Sequence, residues 1–576
     1  MTTRHRSWTL ALLPLLTLAV ACAGAAEEED DSVESDLREG SAEARAVLKL
    51  VNDTSVTKDE LVAKAEVTAS IAGRIVDHRN GPDKVAGNDD DNPFENLTEL
   101  KSERVGDTTM KKLVAYAKAK GLLGASNIDV IFSPQAVDAT HTAKIAKMIG
   151  TAKKTIDIAM YSFGDANVSA ALQAATARGV QVRFVFETAG EDKRLTGDAL
   201  AASKSGQLES RGVDVRYVNK IMHHKFVIID GPRDSADKAE TAQMATGSGN
   251  WSTSAGTKYN ENTLIISGGE PKLALQLQRE FNHLWEHSRD FVSKPFTQIH
   301  ARLDITDAML PNNPSQNAFF TSPNFDVSGD TFKGNGKDTV ADALVAAIKG
   351  ASTSIHIASG HLRSRPVAEA LIAKKAASPN LDIKVYVDQQ EYISKSGNAA
   401  QEDEREACVA EAAGNAVKIR RCNDKGFLFG YEVGAAKIDV RYKFYAYRWD
   451  NSYAAQMHNK YMIIDNKTLF TGSYNLSDNA EHDTFENMLM FTGSRYSALV
   501  QKYEASFQTI WNTGEGKLPT LLKSIAQDAQ IPLVFDPIAI TWEQATDLKS
   551  KIRAACAAAD SDEFRSNPAG HRFCAR

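Results

Sequence analysis

The sequence predicts an α/β protein built from two similar domains, and two observations carry that expectation. Strand-like runs alternate with helix-like runs in both halves of the chain: 180–186 and 383–387 read as strands, 142–154 and 339–349 as helices, which implies α/β layers. One polar pattern also occurs twice, once in each half. The chain of 576 residues leaves room for two large domains, 127–295 and 316–515, besides smaller extensions.

The repeated pattern is His223-His224-Lys225-Phe226-Val227-Ile228-Ile229-Asp230 and His458-Asn459-Lys460-Tyr461-Met462-Ile463-Ile464-Asp465. Gly247-Ser248-Gly249-Asn250 and Glu261 follow the first copy; Gly472-Ser473-Tyr474-Asn475 and Glu486 follow the second. In both, His to Lys is two positions, Lys to Asp five and Gly to Glu fourteen, whereas Asp to Gly is 17 in the first and 7 in the second. The polar residues keep register while one connecting loop drifts, as expected of one site assembled from two halves.

Periodicity says which residues cooperate. The apolar runs 227–229 and 462–464 read as strands buried on both faces. On such strands His223 shares a face with Lys225 and His458 with Lys460, while His224 and Asn459 point away. Asp230 and Asp465 lie seven positions from their histidines, an odd number. They are therefore expected to be structural strand-end carboxylates. Segments 246–251 and 471–476 are expected to return as partner strands, with Ser248 sharing a face with Asn250 and Ser473 with Asn475. Strands 180–186 and 383–387 each run into a carboxylate, Glu187 or Asp388, for which a strand-end turn and a pocket contact both stay open.

These residue types suit displacement at phosphorus. One imidazole can attack, a second can protonate the leaving oxygen, and lysine ammonium and asparagine amide groups can hold charge on the phosphoryl oxygens. No cysteine cluster or carboxylate triad accompanies the motifs, so the pattern calls for no metal and no cofactor.

The motifs carry a family resemblance. His-x-Lys-x4-Asp followed by Gly-Ser-x-Asn, present twice, resembles the phospholipase D superfamily over about residues 127–515. Further matches recur between the halves: Ser133-Pro134 with Ser322-Pro323, Ile156-Asp157-Ile158-Ala159 with Ile355-His356-Ile357-Ala358, and Phe281-x3-Trp285 with Phe507-x3-Trp511. The resemblance implies two α/β/α sandwich domains with the active site between them. It implies His223 as nucleophile and His458 as general acid, with Lys225, Lys460, Asn250 and Asn475 on the phosphate, Ser248 and Ser473 beside the substrate, and Glu261 and Glu486 orienting the imidazoles. One departure stands out: Tyr161-Ser162-Phe163 resembles the family pattern, but its counterpart is Gly360-His361-Leu362.

The extensions bear on location. Residues 1–22 combine Arg4, Arg6 and an apolar run, which reads as an export signal. Segment 18–22 resembles a bacterial lipoprotein box, so a lipid on Cys22 and cleavage a few residues later both stay open. Either makes the chain an exported protein, a cell-envelope lipoprotein or a secreted one. Residues 23–43 are acidic and are expected to form a disordered tether. Outside the cytoplasm, Cys408–Cys422 and Cys556–Cys574 would fit as disulfides. Residues 44–123 are expected to form a small helical module resembling a degenerate helix-hairpin-helix, with Gly106 before a helix at 108–118; DNA binding and packing or partner docking stay open. The extension 516–576 is expected to pack on the second domain, with a helix at 542–559.

The motif sees only a phosphodiester. A phospholipid is the first expected substrate, favoured by export and a lipid anchor. Nucleic acid is the second, disfavoured by a net charge of −7 and a pI near 6.1. A catalytically silent binding protein is the third, disfavoured by the intact motifs. Nothing in the pattern requires an oligomer. Segment 441–449 interleaves cations with aromatics, and could stack bases, rest at a bilayer interface or pack an edge strand.

Overall fold

Two apolar runs become the central strands of two eight-stranded mixed sheets, and everything at the site follows from where those strands begin. The computed structural model describes residues 39, 42–120, 122, 127–293, 296, 299–423, 426–527, 534–558 and 560–567. The expected signal and Cys22, most of the tether, and Cys574 with its pairing lie outside the described residues.

The first sheet contains β1 (Ile128–Ser133), β2 (Thr155–Met160), β3 (Gln181–Phe186), β4 (Val213–Tyr217), β5 (Lys225–Ile229), β6 (Gln243–Gly247), β7 (Glu261–Ser267) and β8 (Arg289–Asp290), in the order β1-β7-β6-β5-β2-β3-β4-β8. The second contains β9 (Gln316–Phe320), β10 (Ser354–Ser359), β11 (Asp382–Asp388), β12 (Asp439–Ala446), β13 (Lys460–Ile464), β14 (Thr468–Gly472), β15 (Asn487–Phe491) and β16 (Val534–Thr541). Its order, β9-β15-β14-β13-β10-β11-β12-β16, repeats the first strand for strand. In each, three strands run parallel, β2-β3-β4 and β10-β11-β12, and the motif strand pairs antiparallel with the first of them.

Alternation along β5 assigns the layers. Phe226 and Ile228 enter a core shared by both sheets and by the helices Pro271–Glu286 and Ser497–Trp511, whereas Val227 and Ile229 enter a core private to the first domain. The second domain has its own outer core, which includes Met462 and Ile464. The result is two α/β/α sandwiches sharing their inner helical layer. The expected buried strands follow directly, since β5 and β13 are buried at every position.

Asp230 and Asp465 end these strands in the left-handed region, at φ +50° and +53°. The Asp230 carboxylate accepts the backbone N–H groups of Lys153 (2.8 Å), Lys154 (2.6 Å) and Thr155 (3.0 Å). Asp465 accepts those of Ser352 (2.9 Å), Thr353 (2.6 Å) and Ser354 (3.0 Å). Each aspartate thus ties the turn before β2 or β10 to the end of the motif strand. Although partial burial opposes it, the N–H donors of Thr353 and Ser354 hold the Asp465 carboxyl down at about 2. A carboxyl depressed in the folded state stabilises above its ordinary value of 3.8 and loses that contribution as pH falls towards about 2. Asp465→Ala is therefore expected to lower stability at neutral pH by about 1–2 kcal/mol, solvent screening allowed for. Urea melts at pH 7 and at pH 2.5 check this, because the difference between the proteins should shrink in acid.

Two expectations need correction, and one open alternative is decided. The partner strands stop at Gly247 and Gly472, so Ser248, Asn250, Ser473 and Asn475 lie beyond the sheet and strand alternation does not govern them. Both glycines are forced by close backbone approach: a Cβ would stand 2.3 Å from the Asn262 carbonyl oxygen at Gly247 and 2.2 Å from that of Asn487 at Gly472. The extension after 515 supplies β16, paired antiparallel with β12, and the helix Trp542–Ala555 that covers the outer core, so it completes the second domain. Segment 441–449 is largely interior. Tyr442 and Phe444 are fully buried and the Arg441 guanidinium lies 4.5 Å from the Trp511 ring centre, which leaves these aromatics nothing to stack on from outside.

Cys408 and Cys422 form a disulfide with Cα atoms 5.7 Å apart. Residues 42–119 form helices around a small core of their own that includes Val47, Leu50 and Leu113. Gly106 has nothing within 4 Å of a Cβ position, so no close approach requires glycine there.

Candidate active site

Each motif histidine is pinned by the opposite domain before its ring makes any contact. Ile221–Met222 pairs in parallel with Thr484–Phe485, and the His223 N–H donates to the Phe485 carbonyl at 3.0 Å. In the other half, Asn260 bridges to Met457 and the His458 N–H donates to the Asn260 carbonyl at 2.9 Å. The residue before each histidine is held as well: Glu187 accepts the Met222 N–H at 2.7 Å and Asp388 the Met457 N–H at 2.9 Å. The two strand-end carboxylates thereby position the histidines through the backbone.

The rings are paired crosswise. His223 Nδ1 donates to Glu486 Oε1 and His458 Nδ1 to Glu261 Oε1, both at 2.7 Å. Holding Nδ1 leaves Nε2 of each imidazole for chemistry. Lys225 Nζ donates to the His223 carbonyl at 2.8 Å and lies 3.2 Å from His223 Nε2; Lys460 Nζ donates to the His458 carbonyl at 2.9 Å. Both lysines and both glutamates are buried.

Burial disfavours charge on this cluster, and the two pairs respond differently. Burial, reinforced by Lys225 and Lys460, pushes His223 well below the ordinary imidazole range, and burial raises Glu486 to about 7. His458 is lowered to about 4, again chiefly by burial, but His458 and Lys460 outweigh the desolvation of Glu261 and keep its carboxyl below the usual value. Desolvation brings Lys225 down to about 7 and Lys460 to about 8. A bound phosphate anion would oppose the lowering of the imidazoles and lysines, and would raise Glu486 further.

Ser248 and Ser473 were expected beside the substrate, but both are fully buried. Their Oγ atoms accept the N–H groups of Asn262 (2.9 Å) and Asn487 (3.0 Å), and the Ser248 hydroxyl donates to the Asn262 carbonyl at 3.3 Å. They brace the backbone of the residue that follows each glutamate, and their burial corrects the expected place beside the substrate. Asn250 and Asn475 are partly exposed, and each keeps a buried Oδ1 without a hydrogen-bond partner.

A second polar layer lies on the faces turned away from the catalytic pair. Asn487 Nδ2 donates to His224 Nδ1 (3.1 Å), and His224 Nε2 donates to Glu280 Oε1 (2.9 Å). In the other half, Asn262 Nδ2 donates to Asn459 Oδ1 (3.0 Å), and Thr471 and Tyr503 hydroxyls donate to Asn262 Oδ1. The repeated Glu-Asn dipeptide, 261–262 and 486–487, is the sequence signal for this layer.

The mismatch between Tyr161 and Gly360 breaks the symmetry at the rings. The Tyr161 ring meets the His223 ring edge-on, with centres 4.5 Å apart, and Lys225 Nζ lies 5.2 Å from it. A Cβ at Gly360 would stand 2.9 Å from the Met457 carbonyl oxygen, so this position carries no side chain beside His458. Among the described residues no group of three or more His, Cys, Asp or Glu is arranged to hold a metal ion.

The chain is 30% identical over 152 residues to mitochondrial cardiolipin hydrolase of Danio rerio, covering 26% of this chain and 59% of that protein. It is 29% identical over 149 residues to the protein of that name from Chlamydomonas reinhardtii, covering 26% and 58%. It thus spans about six-tenths of the length of these relatives. Among solved structures it resembles a phosphatidylserine synthase from Haemophilus influenzae (12% identity, TM-score 0.43, 78% of this chain and 94% of that one). It also resembles Nuc, a phospholipase D family member from Salmonella typhimurium (19% identity, TM-score 0.23, 34% and 94%). The family model described as cardiolipin synthase, PLD-like domain matches residues 145–285 and 344–511, more than half of the sequence, and the chain belongs to that family.

Proposed function

We propose that the protein is a phosphodiesterase that hydrolyses or transfers a phosphatidyl headgroup through a covalent phosphohistidine. The observation that carries this reading is the crossed pairing, which gathers two imidazoles with their Nδ1 atoms engaged, and two lysines, at one centre. His223 Nε2 attacks phosphorus, the bond to the leaving alcohol breaks, and His458 delivers the proton to the departing oxygen. Water then gives a proton to His458 and attacks phosphorus, which breaks the P–N bond and returns both histidines to their starting states. Burial holds His458 at about 4, but the ionised Glu261 opposes that shift and a bound phosphate anion adds to its effect, while Lys225 beside His223 Nε2 favours the unprotonated form there, which supports this division of roles. Lys225, Lys460, Asn250 and Asn475 hold the phosphoryl oxygens.

A phospholipid is supported as substrate by the family description and by the names of the curated relatives. The acidic net charge tells against a long nucleic acid. Export, with the Cys408–Cys422 disulfide as support, belongs to the same reading. The test is the full chain on cardiolipin and phosphatidylcholine vesicles and on single- and double-stranded nucleic acid, beside His223→Ala. Headgroup release that the substitution abolishes is expected; cleavage of nucleic acid alone would overturn the lipid assignment.

A further inference from the structure

The two halves differ most on the inner faces behind the histidines. In one, His224, Glu280 and Ser322 fill the space between the helix Pro271–Glu286 and the second domain: Glu280 takes His224 on one oxygen and the Ser322 hydroxyl, at 2.5 Å, on the other. The motif correspondence places Asn459 at the position of His224 and Ser133 at that of Ser322. Glu280 and Ser506 each precede the matched Phe-x3-Trp, Phe281 in one half and Phe507 in the other, so Ser506 stands where Glu280 does. These smaller side chains do not close the space. Asn459, Ser133 and Ser506 line a cavity of about 690 Å³ between β1 and the helix Ser497–Trp511.

That volume is in the range of small-molecule sites. Its walls combine apolar surface from Val130, Phe132, Ile510 and Pro537 with the ammonium of Lys443. Lys443 is 4% exposed, and its Nζ reaches only a long hydrogen bond, 3.3 Å, to the Gln456 carbonyl. The nearby carboxylate of Asp388 attracts Lys443 through space but makes its hydrogen bonds to the Met457 and Gln390 N–H groups and the Tyr445 hydroxyl. Ser133, 5% exposed, has a buried Oγ with no hydrogen-bond partner. The pocket opens to solvent past Asp129, Lys258 and Lys502, but the buried Lys443 ammonium and the unpartnered Ser133 hydroxyl are costly unless something uses them.

We propose that this cavity binds an amphipathic anion, with a carboxylate or phosphate end on Lys443 and Ser133 and a hydrocarbon body against Phe132, Val130, Ile510 and Pro537. The site is distinct from the catalytic centre and does not depend on the catalytic reading. It shares a wall with that centre, because Asn260 and Asn459 adjoin Glu261 and His458 in sequence.

The test titrates the full chain with decanoate, decyl phosphate, decyltrimethylammonium and inorganic phosphate by calorimetry, below micellar concentrations. Decanoate or decyl phosphate is expected to bind one to one and decyltrimethylammonium not to bind; which of the two anions is tighter identifies the head group. Lys443→Met should weaken that binding at least tenfold. Should Lys443→Met not fold, Ala505→Trp decides, because Ala505 is an exposed position on the cavity rim where a helix tolerates the larger ring. It should abolish binding. Binding unchanged in Ala505→Trp and displaced by inorganic phosphate would place the anion at the catalytic centre and overturn the proposal. Absence of binding by either anion would reduce the cavity to a hydrated space.

Discussion

His223→Ala is expected to lower headgroup release by at least ~10⁴-fold, whatever the leaving group, because no other group stands where Nε2 would attack. His458→Ala should behave differently. With an alkyl alcohol as leaving group the loss is about 10²–10⁴-fold, since an alkoxide must depart without a proton. With a p-nitrophenyl ester the loss should be far smaller, because that phenolate leaves unaided. Rates on both substrate types, with acid-quenched mass spectrometry to find the phosphorylated peptide, separate the roles. Phosphate trapped on the peptide containing His458 would reverse the assignment. Full turnover of the alkyl substrate by His458→Ala would end the two-histidine scheme.

Glu486→Gln is expected to slow formation of the phosphohistidine at His223 by about 10³-fold, even though the two residues belong to different domains. The glutamine side chain can still occupy the space, but it cannot stabilise the charge that develops on the imidazole as Nε2 bonds to phosphorus. Glu261→Gln should instead act on the protonation step, with a greater loss for poor leaving groups than for p-nitrophenol. Rapid-quench measurement of the first turnover checks both. If each substitution affected the step assigned to the histidine of its own domain, the crossed arrangement would be wrong.

Much of this was legible because strand spacing and polar register are local. The runs before Asp230 and Asp465 specify buried strands, and counting positions already turns both aspartates away from the imidazoles. What could not be read was which half each glutamate serves. Glu261 follows His223 by 38 positions and nothing in that interval says that it crosses to His458; only the parallel pairing of 221–222 with 484–485, a contact between distant segments, decides it. The serines failed for another reason. Gly247 and Gly472 end their strands against backbone, so the next residues turn inward and their hydroxyls accept the N–H groups of Asn262 and Asn487. Strand β16 was hidden because 534–541 alternates weakly, with only Ile538 and Ile540 buried, as suits an edge strand.

The crossed carboxylates also set a timetable. A ribosome that has finished the first domain has made His223, Lys225 and Asn250, yet the carboxylate that pairs with His223 lies 263 positions beyond that histidine in the chain. The half-made chain therefore lacks both the carboxylate and the Phe485 carbonyl that hold His223. The centre is complete only when the second domain has been synthesised and has closed onto the first.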